Sequence, residues 1–273
     1  MLPGKLLGIP LFTIFWTFFI YSFLGWIYES TFVSIRKKTF VNRGFLNGPI
    51  IPIYGCGAML VELGFFNSKM IPITETATLL HMIEVFIIGM ILASILEYVT
   101  SYFMEKWFHA KWWDYSDYPL NIKGRISLRS SLFWGVLSVV GVYVMQPLVH
   151  RFIIHLKRPV CDYILYACIV AGSVDFYLTV RVTLHLTRKL AAVEKLKEVL
   201  YEYSSGIHWY DKAEEWKEKI ERSKWYEHVV TIKNNKLHHM VYKRLFKAFP
   251  KLKVVDRQQV FEEFKKKLLS IRR

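Results

Sequence analysis

Long apolar runs dominate the first two thirds of the chain. Residues 8–35 contain one formal charge, that of Glu29, whereas residues 190–273 carry a Lys or Arg every few positions. An apolar run of about 20 residues predicts a transmembrane helix, because a rise of about 1.5 Å per residue then crosses a hydrocarbon layer about 30 Å thick. The pattern predicts about five spans, at residues 9–35, 48–66, 78–104, 130–150 and 160–187. The first run is too long for a cleaved signal peptide, so we expect it to remain as an anchor.

The second predicted span begins in a segment that is poorly suited to a regular helix. Residues 44–57 contain four glycines and two prolines, and both residue types destabilise a helix interior. Irregular backbone at membrane depth occurs where protein buries it or where it lines a wet cavity. One interpretation is therefore a re-entrant or broken segment, of the kind that binds ligands in transporters. The alternative is a loop at headgroup level, followed by a span that begins at Pro52.

The pattern changes after Arg188, where amphipathic helical spacing replaces the long apolar runs. Apolar residues at positions 190, 193, 196 and 200 predict a helix that ends near residue 205, and further helices are predicted at about 211–229, 236–249 and 256–271. We therefore predict a transmembrane bundle over 1–188 and a basic, soluble helical tail over 189–273. The fold class is all-α.

The basic residues predict an orientation in the membrane. The chain is 53% hydrophobic yet has a net charge of +15. The loops after spans one and three hold more Lys and Arg than the opposite side, and the basic tail joins the richer side. Because cytoplasmic loops are enriched in Lys and Arg, we predict a multi-pass protein of the cell membrane with its N-terminus outside and its C-terminus in the cytosol. Basic segments also favour anionic lipid headgroups, whereas no motif for reading nucleic acid is present.

Ionisable residues inside the predicted spans need an explanation. Six acids lie within the predicted spans: Glu29, Glu62, Glu84, Glu97, Asp162 and Asp175. If all six were ionised and faced lipid, the cost would be on the order of 15 kcal/mol, so they must be paired, protonated, water-facing or near the headgroups. Depth along the helices places Glu29, Glu97 and Arg181 toward the cytosolic side and Asp175 near the middle. Each of these acids lies on a stripe of small or polar residues, which face other helices. We therefore predict a polar cavity in the cytosolic half; the alternative is a set of structural ion pairs, such as Arg181 with Glu97 or Glu29.

The sequence contains no recognisable catalytic, phosphate-binding or metal-binding motif. No cofactor is therefore predicted, and an ATP-driven role would require a separate ATPase or another cytosolic partner. The pair His81 and Glu84 supplies too few ligands to predict a metal site. Small residues such as Gly89 and Ala93 permit close helix packing within the chain or between copies, which leaves room for a homo-oligomer.

Several strings resemble a known family. They are YSFLGWIYE (21–29), NRGFLNGPIIPIYG (42–55), EYVTSYFMEK (97–106), WDYS (113–116) and NIKGRISL (121–128). The chain resembles the CmpB-like family of multi-spanning bacterial membrane proteins, usually named putative ABC transporter permeases. Ser127 departs from the family pattern, in which a cysteine is common at that position. The resemblance implies a transport-related role without naming a substrate, since fold alone does not define function.

The family-like strings contain many of the residues that depth places on the cytosolic side. The predicted site for a substrate or ion consists of Glu29, Asn47, Tyr54, Glu97, Asp114, Arg125, Arg129, Asp175 and Arg181. In this site Glu29, Glu97 and Asp175 would act as charge or proton sites. The two arginines Arg125 and Arg129 would clamp an anionic group or, alternatively, contact headgroups.

Three functions fit the sequence. The first is a permease-like transport component with its site in the cytosolic half of the bundle. The second is a membrane-embedded enzyme that acts on a lipid-linked substrate, with Glu97 or Asp114 as general base. The third is a scaffold or sensor whose tail recruits a partner, in which the polar residues only order the helices.

Overall fold

The computed structural model describes residues 4–65, 79–205, 236–255 and 258–270, and most of them are helical. The helices are α1 (Leu11–Lys37), α2 (Pro52–Phe65), α3 (Leu79–Phe108), α4 (Leu128–Val140), α5 (Gln146–Ile154), α6 (Val160–Ser205), α7 (Lys236–Ala248) and α8 (Gln258–Ser270), with a π-helix at Gly141–Met145. Six two-residue strands form antiparallel pairs: β1 (Lys5–Leu6) with β2 (Ile9–Pro10), β3 (Ala110–Lys111) with β6 (Lys253–Val254), and β4 (Asn121–Ile122) with β5 (Ile126–Ser127). The predicted helical membrane bundle is confirmed.

Among the residues that the structure describes, four helical stretches are long and apolar enough to cross a membrane. They are Leu11–Lys37, Leu79–Phe108, Leu128–Ile154 and Val160–Ala191, and they coincide with four of the predicted spans. The second predicted span corresponds to α2, in which the apolar part Pro52–Val61 is shorter. Residues 66–78, which follow α2, lie outside the described residues, and so does the predicted helix at 211–229. The side chain of Glu62 is also outside the described part of the structure. The count of five spans and the orientation of the termini stay predictions.

Residues 39–51 have no regular secondary structure, and α2 begins at Pro52. Proline suits the first turn of a helix because the N–H group that it lacks would have no intrahelical partner there. The side chains of α1 replace some of the missing backbone bonds: the N–H of Val41 donates to Ser34 Oγ at 2.9 Å, and that of Arg43 to Ser30 Oγ at 3.1 Å. The helix start agrees with the headgroup-loop alternative. Whether the segment enters the hydrocarbon layer stays a prediction.

The fourth predicted span is a single helical stretch with a π-helical turn at Gly141–Met145. Pro147 explains the turn, since proline donates no hydrogen bond and its ring clashes with the carbonyl group four residues earlier. A π-turn relieves such a clash by widening the helix locally, and such turns occur often at functional sites.

The helix α6 runs without interruption from Val160 to Ser205. The predicted fifth span at 160–187 and the predicted tail helix that begins near residue 190 are both parts of this one helix. Arg188 and Lys189 change the polarity of the chain but are good helix formers, so the backbone continues through them.

The chain divides into two compact units. The first unit contains residues 1–103 and 113–177, and the second contains residues 104–112 and 178–273. The second unit has an aromatic core of its own, in which Tyr242, Phe261 and Phe264 are fully buried. Within this unit Trp112 packs edge-on against Phe249, with ring centroids 5.0 Å apart, and β3 pairs with β6.

Candidate functional site

Close packing of α1 against α2 positions the first carboxyl group of the site. A Cβ atom at Gly25 would collide with the side chain of Tyr54, and one at Gly55 would collide with Ser22, so the helices approach closely only because both positions are glycine. The Tyr54 side chain consequently lies along α1 and donates its hydroxyl hydrogen bond to Glu29 Oε1 at 3.1 Å.

Glu29 also forms an ion pair with the irregular segment. Arg43 Nε lies 3.1 Å from Glu29 Oε2, and the two side chains are 23% and 27% exposed respectively. Such partial burial reduces the screening of this ion pair by water compared with a surface pair. Pairing with a cation is one of the arrangements expected for an acid in a span, and Glu29 in α1 has this arrangement.

Glu97 in α3 provides the second carboxyl group and is only 5% exposed. The hydroxyl of Tyr115 donates to its Oε1 at 3.0 Å, and Trp134 Nε1–H donates to its Oε2 at 3.0 Å. Burial and the neighbouring Glu97 carboxylate raise the pKa of Tyr115, so this phenol keeps its proton and remains a donor. Within the described parts of the chain, Glu97 forms no ion pair, and its charge is compensated by neutral donors.

Two aromatic rings join the carboxyl groups into one cluster. The ring of Tyr54, which binds Glu29, meets the ring of Trp134, which binds Glu97, with centroids 5.5 Å apart. We call Glu29, Arg43, Tyr54, Glu97, Tyr115 and Trp134 the carboxyl cluster. It brings together side chains from α1, α2, α3, α4 and two connecting segments.

Asp175 lies against the irregular segment and accepts three N–H hydrogen bonds from it. Asn47 donates its backbone N–H and its side-chain Nδ2–H to Asp175 Oδ1 at 3.2 and 2.8 Å. The N–H of Gly48 donates to Oδ2 at 2.7 Å. From the other side Asn42 Nδ2 donates to the Asn47 carbonyl at 2.8 Å, and Trp26 donates to Asn42 Oδ1 at 2.6 Å. Asp175 and Asn47 thus hold the segment that carries Arg43.

Asp114 organises the loop between α3 and α4. Its Oδ1 accepts the backbone N–H of Ser116 at 3.0 Å and the Ser116 hydroxyl at 2.5 Å. Gly124 has a φ of +68°, and a Cβ there would collide with both of these side chains. Ser127, which ends this loop, accepts the N–H of Ser130 at 3.2 Å and so caps α4. These contacts place Tyr115 beside Glu97.

Arg125 and Arg129 rest on different aromatic rings. The Arg125 guanidinium lies 5.3 Å from the ring centroid of Tyr98 and 5.2 Å from that of Tyr102. The Arg129 guanidinium lies 5.6 Å from the ring of Tyr118. Cation–π contacts of this kind stabilise each guanidinium. An anion clamp formed by both arginines stays a prediction.

The remaining predicted residue, Arg181, is exposed and belongs to the second unit. Conversely, sequence reasoning missed Arg43, Tyr115 and Trp134 as parts of the site. Tyr and Trp carry a hydrogen-bond donor on an apolar ring and satisfy that donor when buried, which was the available signal. No cluster of three potential metal ligands occurs among the described residues.

The apolar helices and the carboxyl cluster among them define a multi-pass membrane protein. Comparison with known families gives a match between residues 16–180 and the family described as "Putative ABC-transporter type IV". The chain belongs to this family, and the resemblance found in the sequence is confirmed. No curated protein and no solved structure matches the chain.

Proposed function

We propose that the protein is a permease-like component of a transport system and that Glu97 exchanges a proton or cation during transport. The observation that carries this proposal is the contrast between two linked carboxyl groups. Glu29 is paired with the fixed charge of Arg43, whereas the more deeply buried Glu97 is held by Tyr115 and Trp134.

The physical basis is the different effect of protonation on the two acids. Protonation of Glu29 would remove the charge attraction of its ion pair with Arg43. Protonation of Glu97 removes a charge from an apolar environment, and its carboxyl oxygens still accept hydrogen bonds from neutral donors. Ionisable residues inside a membrane commonly mark ion pathways or proton relays, which supports Glu97 as the exchanging group.

The same proposal includes an energy-coupling partner and an orientation. The family description refers to ABC transporters, and the chain itself contains no recognisable ATP-binding motif. We therefore propose a separate ATPase on the cytosolic side. We also propose that the C-terminal tail faces the cytosol, because the basic residues of the loops and the tail favour that side.

Charge movement on a solid-supported membrane tests the proposal. Vesicles containing the wild-type chain should give a transient current after a pH jump, and Glu97→Gln should lose it. Glu84→Gln is the matched control, because Glu84 is also on α3 and lies outside the carboxyl cluster. A current that persists in Glu97→Gln, or its absence in the wild type, would overturn the assignment.

A scaffold is the second candidate, favoured by the compact second unit with its own aromatic core. In that case one stoichiometric partner would bind the second unit. Substitutions in the carboxyl cluster would then change stability without changing any flux.

A further inference from the structure

A large apolar cavity lies beside the carboxyl cluster in the first unit. Its volume is about 490 Å³, and side chains from α1, α2, α3 and α4 form most of its wall. The volume falls in the range of about 300–1,000 Å³ that is typical of sites for small ligands. Within the described part of the chain no charged side chain lines the cavity. An occupant must therefore present a mainly apolar surface.

Aromatic side chains form the part of the wall that can attract a charge. Tyr21, Tyr28, Tyr54 and Trp134 all line the cavity. Tyr54 and Trp134 are half-buried, so part of each side chain remains accessible. The face of an aromatic ring attracts a cation, and the attraction is strongest where water is excluded. The wall is therefore suited to a cation although it carries no charge itself.

Two of these side chains connect the cavity to the carboxyl groups. The Tyr54 hydroxyl donates to Glu29, and Trp134 Nε1–H donates to Glu97 at 3.0 Å. A carboxylate polarises the donor that it binds, which makes the attached ring more negative. Arg43 offsets the charge of Glu29, so the cluster keeps the one negative charge of Glu97 when both acids are ionised. The cavity is therefore complementary to one positive charge.

The wall does not suit an inorganic cation. Such an ion gives up its water only to a shell of several oxygen ligands. The Tyr21 hydroxyl donates to Gln146, and the Ser138 hydroxyl donates to the carbonyl of Trp134, so these oxygens are already engaged. A quaternary ammonium group carries its charge within an apolar shell and is recognised by aromatic rings instead of oxygen ligands. The occupant that fits is therefore organic.

The cavity is accessible from the side of the first unit. Three residues that line it, Ile27, Tyr28 and Val140, are between 40% and 45% exposed. They lie on α1 and α4, whose lengths and apolar composition suit a membrane span. This side of the cavity therefore faces the hydrocarbon layer. An organic cation that has partitioned into the membrane can enter here.

From these observations we infer that the cavity binds a monovalent organic cation with an apolar body, such as an aryl quaternary ammonium. The charged group contacts Tyr54 and Trp134, and the apolar body lies among the aliphatic side chains. The inference rests on the proposed function, because it names the class of substrate that pairs with Glu97.

Photo-labelling of the purified full chain in detergent tests the inference. The probes are two phenyl diazirines of the same shape, one with a trimethylammonium group and one with a neutral tert-butyl group. Mass spectrometry quantifies adducts at Leu137 and Met145, which line the cavity. The ratio of cationic to neutral adducts is compared between variants, because partition of each probe into detergent then cancels. Excess phenyltrimethylammonium should abolish the cationic adducts.

The charge of Glu97 provides the first comparison. Glu97→Gln should lower the adduct ratio about three- to thirtyfold, because a charge in a weakly screened environment is removed. The neutral adducts should stay unchanged, which also shows that the cavity is intact. Glu84→Gln is the matched control on α3 and should leave the ratio unchanged.

Filling the cavity provides the second comparison. A Cβ atom at Gly57 would lie 3.8 Å from Leu96 Cδ2, and both residues line the cavity. Gly57→Leu should therefore reduce the adducts of both probes to background. Val136→Leu, at an exposed position of α4, should leave them unchanged. Thermal unfolding verifies that each variant is folded.

Four results would overturn the inference. They are an unchanged adduct ratio in Glu97→Gln, undiminished adducts in Gly57→Leu, cationic adducts that resist competition, and no adducts in the wild type because another copy covers the opening. The first result together with a pH-jump current that depends on Glu97 would overturn this inference alone. A lowered ratio together with a current that persists in Glu97→Gln would instead overturn proton exchange at Glu97.

Discussion

The substitution Gly25→Ala tests the contact that positions the carboxyl cluster. The added Cβ atom would lie 2.8 Å from the Cβ atom of Tyr54 and closer still to its ring. Rotation of the ring cannot relieve the first contact, because the Tyr54 Cβ atom is fixed by the backbone of α2. The helices must therefore separate or Tyr54 must leave Glu29.

The expected loss of stability follows from these two consequences. Overpacking of a close contact costs about 1–3 kcal/mol, and loss of a hydrogen bond to a charged group costs about 1.5–3 kcal/mol. Separation of the helices and loss of the hydrogen bond are partly alternative outcomes, so their costs do not add in full. We therefore expect Gly25→Ala to lower the free energy of unfolding by about 2–4 kcal/mol. Thermal unfolding of the purified chain in detergent would show the loss as a lower midpoint.

Gly141→Ala is the matched control for this substitution. Its Cβ atom meets nothing within 4 Å, and Gly141 has helical backbone with a φ of −56°. Alanine should therefore be neutral or stabilising by up to about 1 kcal/mol. In a Tyr54→Ala background the loss caused by Gly25→Ala should shrink without vanishing, because the Cβ atom at position 54 remains. A neutral Gly25→Ala, or an unchanged loss in the Tyr54→Ala background, would refute the packing argument.

Three further predictions concern other parts of the chain. Arg43→Ala should destabilise the protein by about 1–3 kcal/mol, between the values for surface and buried pairs, and Glu29→Gln in the same chain should recover part of the loss in thermal unfolding. Asp175→Asn replaces an acceptor oxygen with an amide group, so hydrogen exchange at Asn47 and Gly48 should accelerate, while Asp117→Asn should leave it unchanged. Burial and the charges of Lys189 and Arg181 lower the pKa of His238. Because His238 binds a proton more readily in the unfolded chain than in the folded chain, the stability of the second unit should fall as pH drops through about 6.5. Hydrogen exchange in α7 should show this dependence, and His238→Gln should weaken it.

Hydropathy predicted the long helices because their apolar length is a local property of the sequence. It also predicted the two helices near the C-terminus, at 236–249 and 256–271, which the structure has at Lys236–Ala248 and Gln258–Ser270. The predicted fifth span and the first predicted tail helix form one continuous helix, because a change of polarity does not end a helix unless the backbone is also disfavoured. One short strand pair joins segments that are far apart in the sequence, Ala110–Lys111 and Lys253–Val254. No local pattern in the sequence predicts this pairing.

The sequence indicated the two acids of the carboxyl cluster, but it did not predict the side chains that contact them. Depth along the helices placed Glu29 and Glu97 on the same side of the membrane. The cost of a charge within a span indicated that each acid has a compensating group. Which group compensates each acid depends on how loops fold back onto helices, and here Arg43 and Tyr115 come from connecting segments. Asp175 was grouped with the same acids, yet in the structure it accepts hydrogen bonds from N–H groups of the irregular segment.

Infrared difference spectroscopy of the reconstituted chain tests the central claim about Glu97 most directly. A change of pH should produce a band from a protonated carboxyl group, which Glu97→Gln removes and which Glu29→Gln and Glu84→Gln retain. A band that persists unchanged in Glu97→Gln would contradict the assignment of proton exchange to this residue.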